Sequence, residues 1–226
     1  MIKFQNITKI YSPNTVALEN ISFEVKPKEF VSIVGRSGAG KTTLFRLLLR
    51  EEKPTNGRIF FDGQDFSKIG PEKVPEIRRK IGVVFQDYKL LPSKTTYENT
   101  AYALEVIGAS DLEIARDVPR VLELVGLLDK ANNFPAQLSG GERQRAVIAR
   151  ALIHRPEVIL ADEPTGNLDP YHAFDIIRLL LKINELGTTV VLATHNKEIV
   201  NFLEKRVITM EKGKITRDKE KSRFII

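Results

Sequence analysis

Residues 35 to 42 read GRSGAGKT, and the six residues before them read EFVSIV. An apolar run that meets glycines and then Lys-Thr leaves few ways to fold. The run predicts a buried strand, the glycines a tight loop, and the following TLFRLLLR a helix packed beside the strand. Gly35, Gly38 and Gly40 let backbone N–H groups turn inward around phosphate oxygens, and the helix N-terminus adds positive potential. Lys41 supplies a point charge for terminal phosphates, and the Thr42 hydroxyl is a ligand for Mg²⁺. Arg36, Ser37, Ala39 and Thr43 complete the expected phosphate-binding loop. The competing reading is a plain strand-to-helix turn.

The rest of the chain has to accommodate that unit. IKFQNI and ENISFEV read as strands near the start, and GRIFFDG as a short strand closed by an Asp-Gly turn. IGVVFQ, EVILAD and TTVVLAT are further buried strands, and YHAFDIIRLLLKINELG carries a helix. Strands alternating with helices predict a mostly parallel sheet. From Thr95 to about Leu152 the period becomes helical, with expected breaks at Gly108 and Pro135. That helical middle predicts an inserted subdomain. The tail TRDKEKSRFII, of mixed charge and then apolar, reads as disordered or as a contact for a partner or membrane.

A triphosphate site needs a carboxylate to hold its metal. VILADEP ends a buried strand in Asp162, which fits as direct ligand or as acceptor from a metal-bound water. Glu163 follows and fits a general base for the attacking water. The pair also fits an acidic helix cap. His195 ends the next apolar strand and Gln86 ends IGVVFQ. Each has a structural reading beside a phosphate- or metal-contacting one. A second glycine turn, LSGGERQR at Leu138 to Arg145, opens another amphipathic helix. One modest domain therefore carries two anion cradles.

Composition narrows the class. The chain has 226 residues, 42% hydrophobic and 28% charged, which suits a soluble globular protein. It contains no cysteine, so disulfides and thiolate metal sites are excluded. The first residues lack the apolar core of a secretory signal, and no run approaches the ~18 residues of a membrane span. The net charge of +6 favours anionic partners or a lysine-rich solvated surface.

The phosphate loop, Gln86, LSGGERQR, VILADEP, NLD and THN stand in the order expected of ABC-type ATPase cassettes. The chain resembles that family over nearly its whole length. The resemblance implies an α/β P-loop NTPase, the ABC nucleotide-binding domain. It has a mostly parallel core sheet, an N-terminal antiparallel β subdomain and an inserted α-helical subdomain. Residues 1–87 and 156–226 would form the nucleotide-binding core with its β subdomain, and 88–155 the helical subdomain. It further implies a homodimer that packs head to tail around two MgATP. Ser139, Gly140, Gly141 and Glu142 of one chain would cap the nucleotide held by the other, and Asp169 would lie in the loop crossing the interface. Tyr11 would stack on adenine with Val16 nearby. His195 would bind the γ-phosphate, Gln86 would sense it, Glu163 would act as base, and Thr42, Gln86 and Asp162 would hold magnesium.

Within the family, FRLLLREEKPTNG, IGVVFQDYKLLPSKTTYENTAYALEVIG and ADEPTGNLDP resemble a cell-division branch. Those cassettes pair with an integral membrane protein of the FtsX type and govern cell-wall hydrolases. A peripheral place on the cytoplasmic face of the membrane follows. Departures from the common pattern are Arg36 for proline, Arg143 for glutamine, Asn196 for aspartate, and Thr96 and Thr100 for valine. The competing functions are the ATPase of a lipoprotein-releasing or macrolide-type exporter, and a soluble ABC protein acting on nucleic acid. The latter is disfavoured by the single cassette and the missing coiled coil and zinc cysteines, so no specific nucleic-acid partner is expected.

Overall fold

Two sheets organise residues 1–11 and 15–220, the part of the chain described by this computed structural model. The first is antiparallel and holds β1 (Ile2–Ile10), β2 (Val16–Val25), β4 (Asn56–Phe61) and β5 (Gln64–Asp65), in the order β2-β1-β4-β5. The expected Asp-Gly turn joins β4 to β5. Asp62 and Gly63 both take positive φ, 49° and 74°, as a tight hairpin turn requires.

The second sheet contains β3 (Phe30–Val34), β6 (Ile81–Phe85), β7 (Val158–Asp162), β8 (Thr189–Thr194), β9 (Arg206–Glu211) and β10 (Lys214–Lys219). Its order is β10-β9-β3-β8-β7-β6, parallel except for the antiparallel edge strand β10. Strands β3, β6, β7 and β8 read as nearly continuous apolar runs because both faces are covered. Val158 and Leu160 on β7, with Val191 and Ala193 on β8, face a core shared with the antiparallel sheet and helix α1 (Lys41–Leu48). Ile159, Ala161, Val190 and Leu192 face the opposite core, which includes α3 (Thr96–Val106), α4 (Asp111–Leu124), α5 (Gly140–Leu152) and α6 (Pro170–Glu185).

Three helices between β6 and β7 start with the same signal. Thr95 with Glu98, Ser110 with Glu113, and Ser139 with Glu142 form reciprocal capping boxes before α3, α4 and α5. The helical stretch breaks at Gly108 and Pro135 as expected, and also at Gly126, whose φ is 67°. Pro119 lies inside α4 without ending it. The threonines that replace valine are buried but satisfied. Thr96 Oγ1 donates to the Asn133 carbonyl and Thr100 Oγ1 to the Thr96 carbonyl.

The sequence analysis had no element for α2 (Val74–Arg79), α7 (Lys197–Leu203) or β9. The tail needs correction: Thr216–Lys219 belong to β10, tied down where Arg206 of β9 forms paired bonds with Asp218 at 2.8 and 2.7 Å. Residues 221–226, the apolar end of that tail, lie outside the described residues.

Candidate nucleotide-binding site

Strand register brings the distant motifs to one edge. Val34 pairs with Thr194, Ala193 with Asp162, and Asp162 with Phe85. The residues just past these pairs are Gly35, His195, Glu163 and Gln86. Four neighbouring parallel strands thus deliver their C-terminal ends to one crevice, where open α/β sheets bind ligands. The crevice is a cleft of about 690 Å³, lined by Ser37, Gly38, Ala39, Gly40, Lys41, Thr42, Thr43, Gln86, Asp162, Glu163, Asn167 and His195 among others.

The loop geometry follows from its glycines. Gly40 caps α1 at φ 103°, a left-handed conformation that L side chains rarely adopt. A Cβ there would also lie 2.7 Å from Leu18 Cδ2. Lys41 is buried and donates to the carbonyls of Gly35 at 2.8 Å and Arg36 at 3.3 Å, so the loop holds its own cation.

Thr42 Oγ1 donates to Asp162 Oδ2 at 2.8 Å. The other oxygen, Asp162 Oδ1, is buried and has no hydrogen-bond partner. Burial, with Glu163 adding like charge, pushes the Asp162 carboxyl above its ordinary range. A buried acceptor without a donor, next to a hydroxyl, fits a hard oxygen-seeking cation such as Mg²⁺. Glu163, in the left-handed region at φ 48°, is held by three groups. Its Oε1 lies 3.3 Å from Lys41 Nζ and 2.9 Å from His195 Nδ1, and its Oε2 accepts from the His195 N–H at 3.3 Å. Asn196 serves in place of aspartate, since its Oδ1 accepts from the N–H groups of Glu198 and Ile199 and caps α7.

Other expected residues lie outside the cleft lining. Tyr11 stands at its rim, its hydroxyl 3.4 Å from Thr43 Oγ1 and its ring carrying Lys9 Nζ 5.0 Å from the centroid. Exposed Val16 pairs with Ile10 beside it. Gly35 and Arg36 contribute their carbonyls to Lys41 rather than surface to the cleft.

Ser139, Gly140, Gly141, Glu142 and Asp169 form a separate group, none of which lines the cleft. Ser139 Oγ accepts from the Glu142 N–H, whose carboxylate in turn accepts from the Ser139 N–H. Asp169 caps α6, accepting from the His172 N–H at 3.1 Å, while its other oxygen meets His172 Nδ1. That bond holds the Asp169 carboxyl below the usual range. The His172 ring packs on Gly141, where a Cβ would fall 2.9 Å from its Cδ2.

The segment after Gln86 is fastened to α5. Arg150 donates to the carbonyls of Tyr88 and Lys89, and Arg143 lies over the Tyr88 ring, 5.5 Å to its centroid. Several cleft contributors had no role in the sequence reading, among them Asn167 in NLD, which pointed only to Asp169, and Arg46 and Lys89. Among the described residues no helix is long and apolar enough to cross a membrane.

The family described as ABC transporter matches residues 18–166. "Cell division ATP-binding protein FtsE" of Bacillus subtilis (strain 168) is 51% identical over 224 residues, covering 99% of this chain and 98% of that protein. The protein of the same name from Escherichia coli (strain K12) is 45% identical over 213 residues, 94% and 96% of the two chains. Among solved structures, a dimeric post-hydrolysis state of the ATP-binding cassette MJ0796 bound to ADP and Pi superposes with TM-score 0.88 at 38% identity. It covers 99% of this chain and 100% of that one.

Proposed function

The chain belongs to the ABC transporter family and is an ATP-hydrolysing cassette, and on that premise we propose that it dimerises around two MgATP to drive a membrane partner in cell division. The convergence of Lys41, Thr42, Asp162, Glu163 and His195 at one sheet edge carries the catalytic half of this reading. The FtsE relatives carry the cellular half.

In the proposed reaction the loop from Gly35 to Thr43 binds the phosphates, with Lys41 on the terminal ones, and adenine stacks on Tyr11 beside Val16. Glu163 accepts a proton from water as the water oxygen attacks the γ-phosphorus and ADP leaves. His195, already bonded to Glu163, keeps that carboxylate aimed and reaches the γ-phosphate. Thr42, Asp162 and Gln86 would hold magnesium, which neutralises charge on the phosphate oxygens. Ser139 to Glu142 and Asp169 serve the partner's nucleotide, which explains why they stand outside this chain's own cleft. Residues 88–155 act as the helical subdomain that moves with the partner.

The partner is an integral membrane protein of the FtsX type, and cassette opening and closing would regulate cell-wall hydrolysis from the cytoplasmic face. It docks beside Gln86, Asp87 and Tyr88, where the end of β6 is fastened to α5. Recovery of a division-site membrane protein with the cassette from detergent-solubilised membranes, lost on Asp87→Lys, supports the reading. Recovery of an exporter permease instead overturns it.

A further inference from the structure

Gln86 and Asn167 clasp each other across the cleft edge. Gln86 Nε2 donates to Asn167 Oδ1 at 3.3 Å, and Asn167 Nδ2 donates to the Gln86 carbonyl at 2.9 Å. Gly166 admits the amide closely. A Cβ added there would lie 2.6 Å from Gln86 Nε2 and 2.8 Å from its Cδ. Both residues line the cleft with Thr42 and Asp162.

A carboxamide has two unlike ends. Its NH₂ only donates and its oxygen only accepts, so a cation takes the oxygen alone. The terminal torsion of a free glutamine is broad, and either end can be presented. Here the choice is anchored on a main-chain group. The Gln86 carbonyl can only accept, so Asn167 must turn its NH₂ toward it. That leaves Asn167 Oδ1 to accept from Gln86 Nε2. The nitrogen end of Gln86 is thereby used and packed on Gly166. Its Oε1 accepts from no protein donor among the described residues.

We infer that Asn167 is a positioning residue that locks the Gln86 carboxamide with its oxygen available to the metal and phosphate side of the cleft. It thereby raises affinity for MgATP over ATP alone. Asn167 acts through Gln86 and bonds to no other proposed ligand. The inference rests on the proposed role of Gln86 as a magnesium ligand.

The test compares the full-length wild type with Asn167→Ala, Gln86→Ala and the double variant. Calorimetry gives ATP affinity with Mg²⁺ and with EDTA for each, and thermal melting checks folding. Partners that orient metal ligands typically affect metal affinity 10- to 100-fold, so the gain in ATP affinity from Mg²⁺ should fall about tenfold in Asn167→Ala, with EDTA affinity changed less than about twofold. The double variant should be no worse than Gln86→Ala, because Asn167 has nothing left to orient. Two results overturn the inference while leaving Gln86 a ligand. One is a full Mg²⁺ gain in Asn167→Ala beside a reduced gain in Gln86→Ala. The other is a double variant that loses the sum of both effects. A full gain in Gln86→Ala removes the ligand role itself, and the role of Asn167 falls with it.

Discussion

Lys41 Nζ lies 3.3 Å from Glu163 Oε1, joining the buried lysine of the phosphate loop to the carboxylate proposed to activate water. The contact sets a competition, because a γ-phosphate entering the cleft must share or take Lys41 from Glu163. Lys41 also spans the carbonyls of Gly35 and Arg36, so its head is fixed where the terminal phosphates would sit. Charge-assisted hydrogen bonds contribute about 1.5–3 kcal/mol each, so Lys41→Ala should weaken MgATP binding by at least about tenfold to hundredfold. Calorimetry reads this directly, and retained micromolar affinity would remove Lys41 from the site.

Ser139 has a local task and a proposed distant one. Its hydroxyl caps α5, and removing an N-cap costs about 1 kcal/mol. Ser139→Arg should therefore lower the melting temperature by roughly 2–4 °C. It should also abolish ATP-dependent dimerisation in light scattering, while nucleotide binding by the monomer survives. Ser139→Asp keeps the cap and places a negative charge toward the partner's phosphates. It should block dimerisation with little loss of stability. A stable dimer in both variants would place the interface elsewhere.

Acid should weaken the fold partly through His154. Burial pushes its imidazole below the usual range, with a hydrogen bond donated by the ring to the Ile81 backbone opposing. The unfolded chain, titrating near the ordinary value of ~6.5, then binds more protons than the folded chain at pH values below that. The stability associated with neutral His154 is present above ~6.5 and is lost as pH falls toward the lowered folded value. Melting curves from pH 7.5 to 5.5, both on the order of the histidine range, should show a decline that His154→Gln makes shallower. An unchanged slope would mean that the imidazole is solvated.

Much of this arrangement was legible as residues, and the missing parts share a cause. Seven apolar runs gave β1, β2, β3, β4, β6, β7 and β8, because strands covered on both faces or packed on a core must be apolar. β9 reads RVITME, a short run between two charges, and β10 reads KITRDK, with charges inside the strand, while Arg206 meets Asp218 across the hairpin. Gly126 ended a helix where Pro119 did not, and periodicity alone does not rank the two. Within the site, Lys41, Thr42, Asp162 and Glu163 were marked by motifs, and strand register brings them together. Asn167 was not marked, because its significance lies in a bond to Gln86, 81 positions earlier. The separation of the Ser139 and Asp169 group from the cleft was expected only through the family resemblance. Sequence shows two glycine cradles but not the distance between them.

Glu163→Gln separates binding from chemistry most sharply. The amide keeps the size of the side chain and can still bond to His195, but it cannot accept the water proton. Losing a positioned general base typically costs ~10²–10⁴ in rate. Lys41, Thr42 and Asp162 remain, so ATP should still bind. Binding should even tighten, because Lys41 is no longer shared with a carboxylate and repulsion of the γ-phosphate falls. The variant should accumulate as an ATP-loaded dimer that barely turns over. Asp162→Asn should behave differently. Its amide oxygen can still accept from Thr42, while the charge that burial penalises is removed. The chain without nucleotide should therefore melt no lower than wild type, yet lose most of its Mg²⁺-dependent affinity and hydrolysis, with no trapped dimer. Phosphate release measured beside dimer fraction and melting temperature distinguishes the two carboxylates. Wild-type turnover in Glu163→Gln would show that Glu163 is not the base, and water activation would then fall to Gln86 or His195.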